Sequence, residues 1–437
     1  MGGHFMRKNH VILGLGLLAV WALALLQPMG WGAGALSPAV TPVPRQDGWW
    51  QERHRQFNER VRQGNADIVF IGDSITHGWE GEGKEIWDAC YAPRNAVNLG
   101  IGGDQTGHVL WRLQNGNLEG IQPKVAVIMI GTNNGPTDQT AEEIADGVKA
   151  IVQLIREKTP STRILLLAIF PRNDKPEEVQ AKLRRATELF SALDEDPMVE
   201  FVDINWAFVD ERGKVPKEIM PDLLHPSKKG YELWAEALEP WLGKALGEAD
   251  GLTPLFNGRD FTGLEEVGGG PSSWRVEHGM LVTVGGGGNW ISTTREFGDF
   301  ELSLEFKSPP GGNSGVFIRA PREGNPAFEG SEIQILDDYS DRYKELKPYQ
   351  YCGSVYATIA PSKRATKPSG QWQKMVIRVQ GQKIQVTLNG EQIIDGDLSE
   401  HMDKIKDHPG LKRLKGYIGL QNHDTPMYFR NILIREL

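Results

Sequence analysis

The most constraining feature of this chain is a rhythm in its first half: short apolar runs alternate with stretches of helical periodicity. The first run lies within Asp67-Ile68-Val69-Phe70-Ile71-Gly72-Asp73-Ser74-Ile75-Thr76, and others cover 96–100, 125–130, 164–169 and 199–204. Apolar, β-branched runs of this length bounded by turn residues read as buried strands, and their alternation with helices calls for parallel βαβ units. Between the third and fourth runs, Thr140 and Glu143 have capping-box spacing and Ile144, Val148, Ile151 and Ile155 recur on one helical face. A last helix is predicted over 227–246. The expectation is a flavodoxin-like α/β three-layer sandwich over residues 50–248.

In an open α/β sheet, active sites collect where strands end. The polar groups predicted there are Gly72-Asp73-Ser74, Asn98-Leu99-Gly100-Ile101-Gly102-Gly103-Asp104, Gly131-Thr132-Asn133-Asn134 and Asp222-Leu223-Leu224-His225. A serine hydroxyl is a weak nucleophile until a neighbouring base takes its proton, and a carboxylate fixes an imidazole for that task. His77, three residues from Ser74, is a rival base and reads better as a cleft wall. His108 is expected to pack beside Trp111, and Asp73 to anchor its loop through hydrogen bonds. Gly-x-Gly-Gly-Asp lacks a following Lys-Ser/Thr, which argues against a phosphate loop. No His-Glu-x-x-His or Asp-rich calcium loop occurs, so neither metal nor cofactor is expected. A net charge of −9 without a long basic run argues against nucleic acid as a partner.

Together with the strings NLGIGGDQTGHVLWRL and IGTNN, the four segments resemble the SGNH (GDSL) hydrolases, in particular their platelet-activating-factor acetylhydrolase-like branch. The resemblance implies Ser74 as nucleophile, His225 as its base and Asp222 as the group orienting His225. It also implies an oxyanion hole made by the Ser74 and Gly103 N–H groups and the Asn133 side-chain amide. Asn134 stands where many members carry Asp, as in the acetylhydrolase branch.

Upstream, Arg7 and Lys8 precede an apolar run over 11–26 and the small residues Ala33-Gly34-Ala35. This order reads as a secretory signal peptide over 1–35, followed by a Pro-rich linker over 36–49. The expected location is periplasmic or extracellular. An uncleaved inner-membrane anchor is the alternative, and the only membrane contact expected. Cys90 and Cys352 fall in different predicted domains and make no disulfide framework.

At Gly247-Glu248-Ala249-Asp250-Gly251 the texture changes to period-two alternation. Phe300, Leu302, Leu304 and Phe306 share a strand face, as do Met375, Ile377 and Val379, and Ile384, Val386 and Leu388. Gln380-Gly381 and Asn389-Gly390 mark hairpin turns, so residues 252–437 are expected to form a β-sandwich touching the first domain. The phrases LFNGRD (255–260), NSGVFIR (313–319), EIQILD (332–337), Lys367-Pro368, GLQ (419–421) and FRN (429–431) resemble the 3-keto-disaccharide hydrolase family, a concanavalin-like jelly roll. The resemblance implies a glycan ligand. Glu332 and Gln334 share a strand face opposite Ile333 and Ile335, and Arg319, Glu332, Gln334, Asp337, Lys367 and His423 are the candidates for a concave glycan site. A structural Arg319–Glu332 ion pair is the competing expectation. Trp290 and Trp372 are either sugar platforms or core.

The combined expectation is an exported serine esterase acting on acylated carbohydrate or another small ester. A short-chain lipid or phospholipid acetylhydrolase is the alternative. A keto-glycoside hydrolase or glycan-binding protein, with the second domain carrying the main function, is the alternative of another class.

Overall fold

A computed structural model describes residues 1–2, 37–210, 212–248, 251–268, 273–277 and 279–437. The segment read as a signal peptide lies outside the described residues apart from Met1 and Gly2. Among the described residues, no helix is long and apolar enough to cross a membrane.

Residues 37–248 build a parallel sheet from β1 (Ile68–Gly72), β2 (Ala96–Gly100), β3 (Val125–Met129), β4 (Arg163–Leu167) and β5 (Val199–Val202), in the order β2-β1-β3-β4-β5. Both faces are buried, as the continuous apolar runs require. Val69 and Ile71 face one core with α1 (Gly48–Arg62), α4 (Thr106–Gln114), α5 (Ala141–Lys158) and α6 (Glu177–Ser191). Ile68 and Phe70 face another with α7 (Lys228–Leu246). The predicted α5 cap is present: the Thr140 hydroxyl accepts from Glu143 N–H, and the Glu143 carboxylate accepts from Thr140 N–H.

The Pro-rich segment expected to be a linker is instead a strap across α4 and α5. Ala39 is fully buried, its carbonyl accepts from the Thr106 hydroxyl at 2.8 Å, and Val43 N–H donates to Gly107 O at 3.2 Å. A Cβ at Gly107 would lie 2.6 Å from the Pro38 and Thr41 carbonyls, and one at Gly147 2.7 Å from Ala39 O. Glycine at both positions makes room for the strap. Composition suited a linker, but the proline run docks because two helices present bare backbone to it.

Beyond the junction the fold is antiparallel. A five-stranded sheet runs β13-β12-β17-β10-β7, using β7 (Leu264–Val267), β10 (Asn289–Thr293), β12 (Asn313–Ala320), β13 (Ser331–Leu336) and β17 (Tyr417–Asn422). The opposing sheet runs β16-β15-β14-β11-β18-β9-β8. Its strands are β8 (Trp274–Glu277), β9 (Met280–Thr283), β11 (Phe300–Lys307), β14 (Gln373–Gln380), β15 (Lys383–Leu388), β16 (Glu391–Asp397) and β18 (Tyr428–Glu436), with β6 (Thr253–Pro254) added on β18. The alternating apolar residues predicted on β11, β14 and β15 fill the core between the sheets. At the β15–β16 turn Asn389 and Gly390 both have positive φ, the requirement of a tight hairpin.

The two halves pack directly. Met280 and Val282 join the α7-side core, and Arg259 pairs with Asp194. The Arg430 guanidinium sits 4.6 Å from the Trp206 ring centroid and 3.9 Å from that of Trp372.

Candidate functional site

β1 runs out at Gly72, where a Cβ would collide with Thr76 Oγ1 and Met129 O. Asp73 then caps the short helix α2 (Ser74–His77) by accepting from Ile75 N–H at 3.0 Å. Burial pushes the Asp73 carboxyl up to about 7, so its role is to shape the turn, as expected. Ser74 is left half-buried at the sheet edge with its hydroxyl 2.9 Å from His225 Nε2.

His225 is held by its own loop. Asp222 Oδ1 accepts from the Leu224 and His225 amides at 3.0 and 2.7 Å, while Asp222 Oδ2 lies 2.6 Å from His225 Nδ1. Partial burial pushes the Asp222 carboxyl up, but the bonds from the His225 ring and the two amides outweigh it and hold the group below its ordinary range. Between them Leu223 has φ +64°, a left-handed conformation costing about 1–2 kcal/mol for a side chain of this kind. The Asn173 N–H, donating to Leu223 O at 2.9 Å, helps hold it there. Strain of this kind at a loop carrying two polar groups marks a constrained site.

The β2 loop comes up beside the hydroxyl. A Cβ on Gly102 would lie 3.7 Å from Ser74 Cβ, and Gly103 has φ +79°, open to glycine at no steric cost. Among the described residues, no protein acceptor is paired with the N–H of Ser74 or Gly103. Asn133 follows β3, and its amide donates one hydrogen to Asp104 O at 3.0 Å, leaving the other. Asn134 turns inward and bonds Thr106 and Gln139. All five residues expected at this site therefore gather at one edge of the sheet.

The rival base His77 and the neighbouring His108 are both engaged in loop contacts. His77 Nδ1 accepts from Gly102 N–H at 3.3 Å, and burial, with Arg53 nearby, holds its ring below the ordinary value. His108 is engaged at the start of α4. Its Nδ1 accepts from Gln105 N–H at 2.9 Å to cap α4, and His54 takes the place beside Trp111 at 5.0 Å.

Two buried arginines support these loops and were missed from sequence. Arg112 donates to Asp104 Oδ2 at 2.8 Å and to Asn117 Oδ1 at 2.8 Å. Arg172 donates to Thr132 O at 2.9 Å, next to Asn133, and is clamped by Asp174. An arginine inside the apolar stripe Val109, Leu110, Leu113 was the available signal for the first.

On the second domain, Glu332 and Gln334 lie with Phe317 and Trp290 on one face of the five-stranded sheet. Cβ atoms at Gly315 and Gly419 would collide with the Glu332 carboxyl and the Trp290 ring, so these glycines let both groups lie flat on the sheet. Two cavities of about 540 and 240 Å³ share Asn325, Gln421 and His423 as walls. Trp290 lines the larger, and Glu332 and Gln334 the smaller.

The other three candidates are elsewhere. Arg319 sits at φ +50° in a register shift of β12 and donates to Gly298 O, Gly381 O and Asp299, so neither the concave-face role nor the Arg319–Glu332 pair holds. Asp337 closes a turn by accepting from Gly311 and Tyr339 N–H, and Lys367 Nζ donates to Trp372 O. Trp372 belongs to the interdomain contact under Arg430.

Burial pushes the Glu332 carboxyl up to about 8. Below its ordinary pKa the group is neutral folded or unfolded. As pH rises toward 8 only the unfolded chain ionises it, so stability falls across that window and then levels. Glu332→Gln is expected to flatten this slope and to be more stable than wild type at pH 9 by roughly 5 kcal/mol. Urea midpoints at pH 5 and pH 9 test it, and parallel pH slopes for the two proteins would refute it.

A parallel α/β sheet whose edge presents a serine hydroxyl to an imidazole is the architecture of a serine ester hydrolase. Residues 70–233 match the GDSL-like Lipase/Acylhydrolase family model, and residues 251–435 the 3-keto-alpha-glucoside-1,2-lyase-like domain. Platelet-activating factor acetylhydrolase IB subunit alpha1 of Bos taurus is 40% identical over 224 residues, covering 50% of this chain and 95% of that protein. The chain belongs to the GDSL-like acylhydrolase family and carries a second, 3-keto-alpha-glucoside-1,2-lyase-like domain. Among solved structures, a GDSL-like lipase from Bacteroides thetaiotaomicron is 18% identical with TM-score 0.38, covering 44% of this chain and 97% of that one. A carbohydrate binding module from Bacillus subtilis is 15% identical with TM-score 0.30, covering 40% and 98%.

Proposed function

We propose that this protein is an exported esterase that removes small acyl groups, acetyl foremost, from carbohydrate, using Ser74, His225 and Asp222. The reading is carried by the two hydrogen bonds in series, Ser74 Oγ to His225 Nε2 at 2.9 Å and His225 Nδ1 to Asp222 Oδ2 at 2.6 Å. His225 takes the hydroxyl proton as Ser74 Oγ attacks the ester carbonyl. The resulting oxyanion is stabilised by the N–H groups of Ser74 and Gly103 and the free amide hydrogen of Asn133. Collapse expels the alcohol, which takes the proton from His225, and leaves an acyl-serine. Water then attacks it with His225 again as base, releasing the acid and restoring the hydroxyl.

The Asp222 and His225 side chains are about half exposed, so the alcohol lies at an open edge where a saccharide chain fits. The second domain supports the carbohydrate assignment through its family and the Trp290–Glu332 face. A phospholipid acetylhydrolase is the second reading, favoured by the 40% identity to an acetylhydrolase subunit. Cleavage of keto-glycosides at Glu332 is a further activity consistent with a carboxyl kept neutral in a cavity beside Gln334 and His423.

Rates on p-nitrophenyl esters, beside acetate release from acetylated xylan and from an sn-2-acetyl phospholipid, separate these. The expected result is acetyl over butyryl by roughly 10² in kcat/KM, with acetate released from the xylan. Release from the phospholipid alone would favour the second reading, and preference for long acyl chains would end both.

A further inference from the structure

The oxyanion donor at Gly103 belongs to a peptide unit with glycine on both sides, and such a unit rotates easily. Its two ends are the Gly102 carbonyl and the Gly103 N–H, which point in opposite directions because the peptide is planar and trans. Whatever fixes the carbonyl therefore aims the N–H. In this fold the carbonyl is fixed by a side chain from the N-terminal strap: Arg45 Nη1 donates to Gly102 O at 2.7 Å.

Arg45 is itself held. Its Nε donates to Asp47 at 3.0 Å, Asp104 Oδ1 stands 3.9 Å from Nη1, and the guanidinium lies 5.2 Å from the Trp49 ring centroid. The strap behind it is anchored through Ala39 and Val43 on α4. A Cβ on Gly103 would lie 2.9 Å from Arg45 Nη1, while one on Gly102 would lie 3.7 Å from Ser74 Cβ. The peptide is thus enclosed between the arginine on one side and the serine on the other. From within the domain, Trp50 Nε1 and Arg112 grip the Asp104 carboxylate at the end of the same loop.

We propose that Arg45 is a positioning residue of the esterase site: it locks the Gly102–Gly103 peptide with its N–H turned toward the reacting carbonyl. A cation bonded to the carbonyl end also polarises the peptide, which makes its N–H the stronger donor. The proposal depends on the reading of Ser74 as nucleophile and Gly103 as oxyanion donor. The strap expected to be a linker then completes the site.

The test uses the full chain with Arg45→Ala, Arg45→Lys and Asp47→Asn, assayed on p-nitrophenyl acetate with thermal melts alongside. Arg45→Ala should lower kcat by roughly 10-fold to 10²-fold, somewhat less than outright loss of an oxyanion donor, with KM within about twofold. Free guanidinium at millimolar concentration should restore part of that kcat in Arg45→Ala and leave wild type unchanged. Arg45→Lys and Asp47→Asn should fall between the two.

An unchanged kcat, or a loss confined to KM, would overturn the proposal. So would a loss that follows the melting temperature and responds neither to guanidinium nor to lysine, since that would make Arg45 a structural tether. Full activity in Ser74→Ala would instead remove the underlying reading of the site.

Discussion

Ser74→Ala is expected to lower kcat on any ester substrate by about 10⁴-fold or more and to leave the melting temperature nearly unchanged. The first part follows from the chemistry. On the proposed mechanism no acyl-enzyme forms without the hydroxyl, and what remains is water positioned by His225 near Gly103 and Asn133. The second part follows from local structure. The turn is set by Gly72 and by the Asp73 cap, both outside the substituted side chain, and the hydroxyl bonds to the His225 ring on the neighbouring loop. Alanine is also a good residue at the first helical position. Initial rates and a melt on the same sample check both parts together. Retention of more than a few per cent of activity would place the nucleophile elsewhere, and a collapse in stability would assign Ser74 a structural role that its surroundings do not indicate.

The strand ends of the first domain are legible in sequence because their chemistry is written in contiguous strings. Gly-Asp-Ser, Gly-Ile-Gly-Gly-Asp, Gly-Thr-Asn-Asn and Asp-Leu-Leu-His each follow a strand or precede a helix, so the topology alone brings them to one edge. What holds those strings in place is not legible in the same way. Arg45 acts across 57 residues on Gly102, and Arg172 across 40 on Thr132, from positions that no periodicity marks.

In the second domain, period-two reasoning correctly pairs Glu332 with Gln334 on one face, because β13 is regular. The same reasoning fails for Arg319, because a register shift between Phe317 and Ala320 turns its side chain toward the loop carbonyls. A bulge shifts every side chain beyond it to the other face, and only the paired strand reveals where it falls.

Arg112→Met is expected to destabilise the first domain by about 3–5 kcal/mol, an effect comparable to that of a large core truncation. Arg112 and Asp104 are both fully buried and bonded at 2.8 Å. Taking away the guanidinium leaves a fully buried carboxylate with a hydrogen bond from Trp50 Nε1 at 2.7 Å and the Arg45 cation 3.9 Å off, outside hydrogen-bond reach. A buried charge stripped of its hydrogen-bonded counterion is what makes the single change costly, so the double variant Arg112→Met with Asp104→Asn should recover a large part of the loss. The asparagine keeps an oxygen for Trp50 and carries no charge to strand.

Catalysis should suffer in step with Asp104 rather than with global stability. The Asp104 carbonyl holds the Asn133 amide at 3.0 Å, and the Arg112 guanidinium reaches toward the Gly72 carbonyl at 3.4 Å, at the end of the serine's strand. This one buried cation therefore ties together the loops that carry Ser74, Gly103 and Asn133. Urea midpoints for the two single variants and the double variant, with kcat measured where each is still folded, decide the matter. Near-additive losses would mean that the pair is not coupled, and a single-variant cost below 1 kcal/mol would mean that water reaches Asp104 in solution.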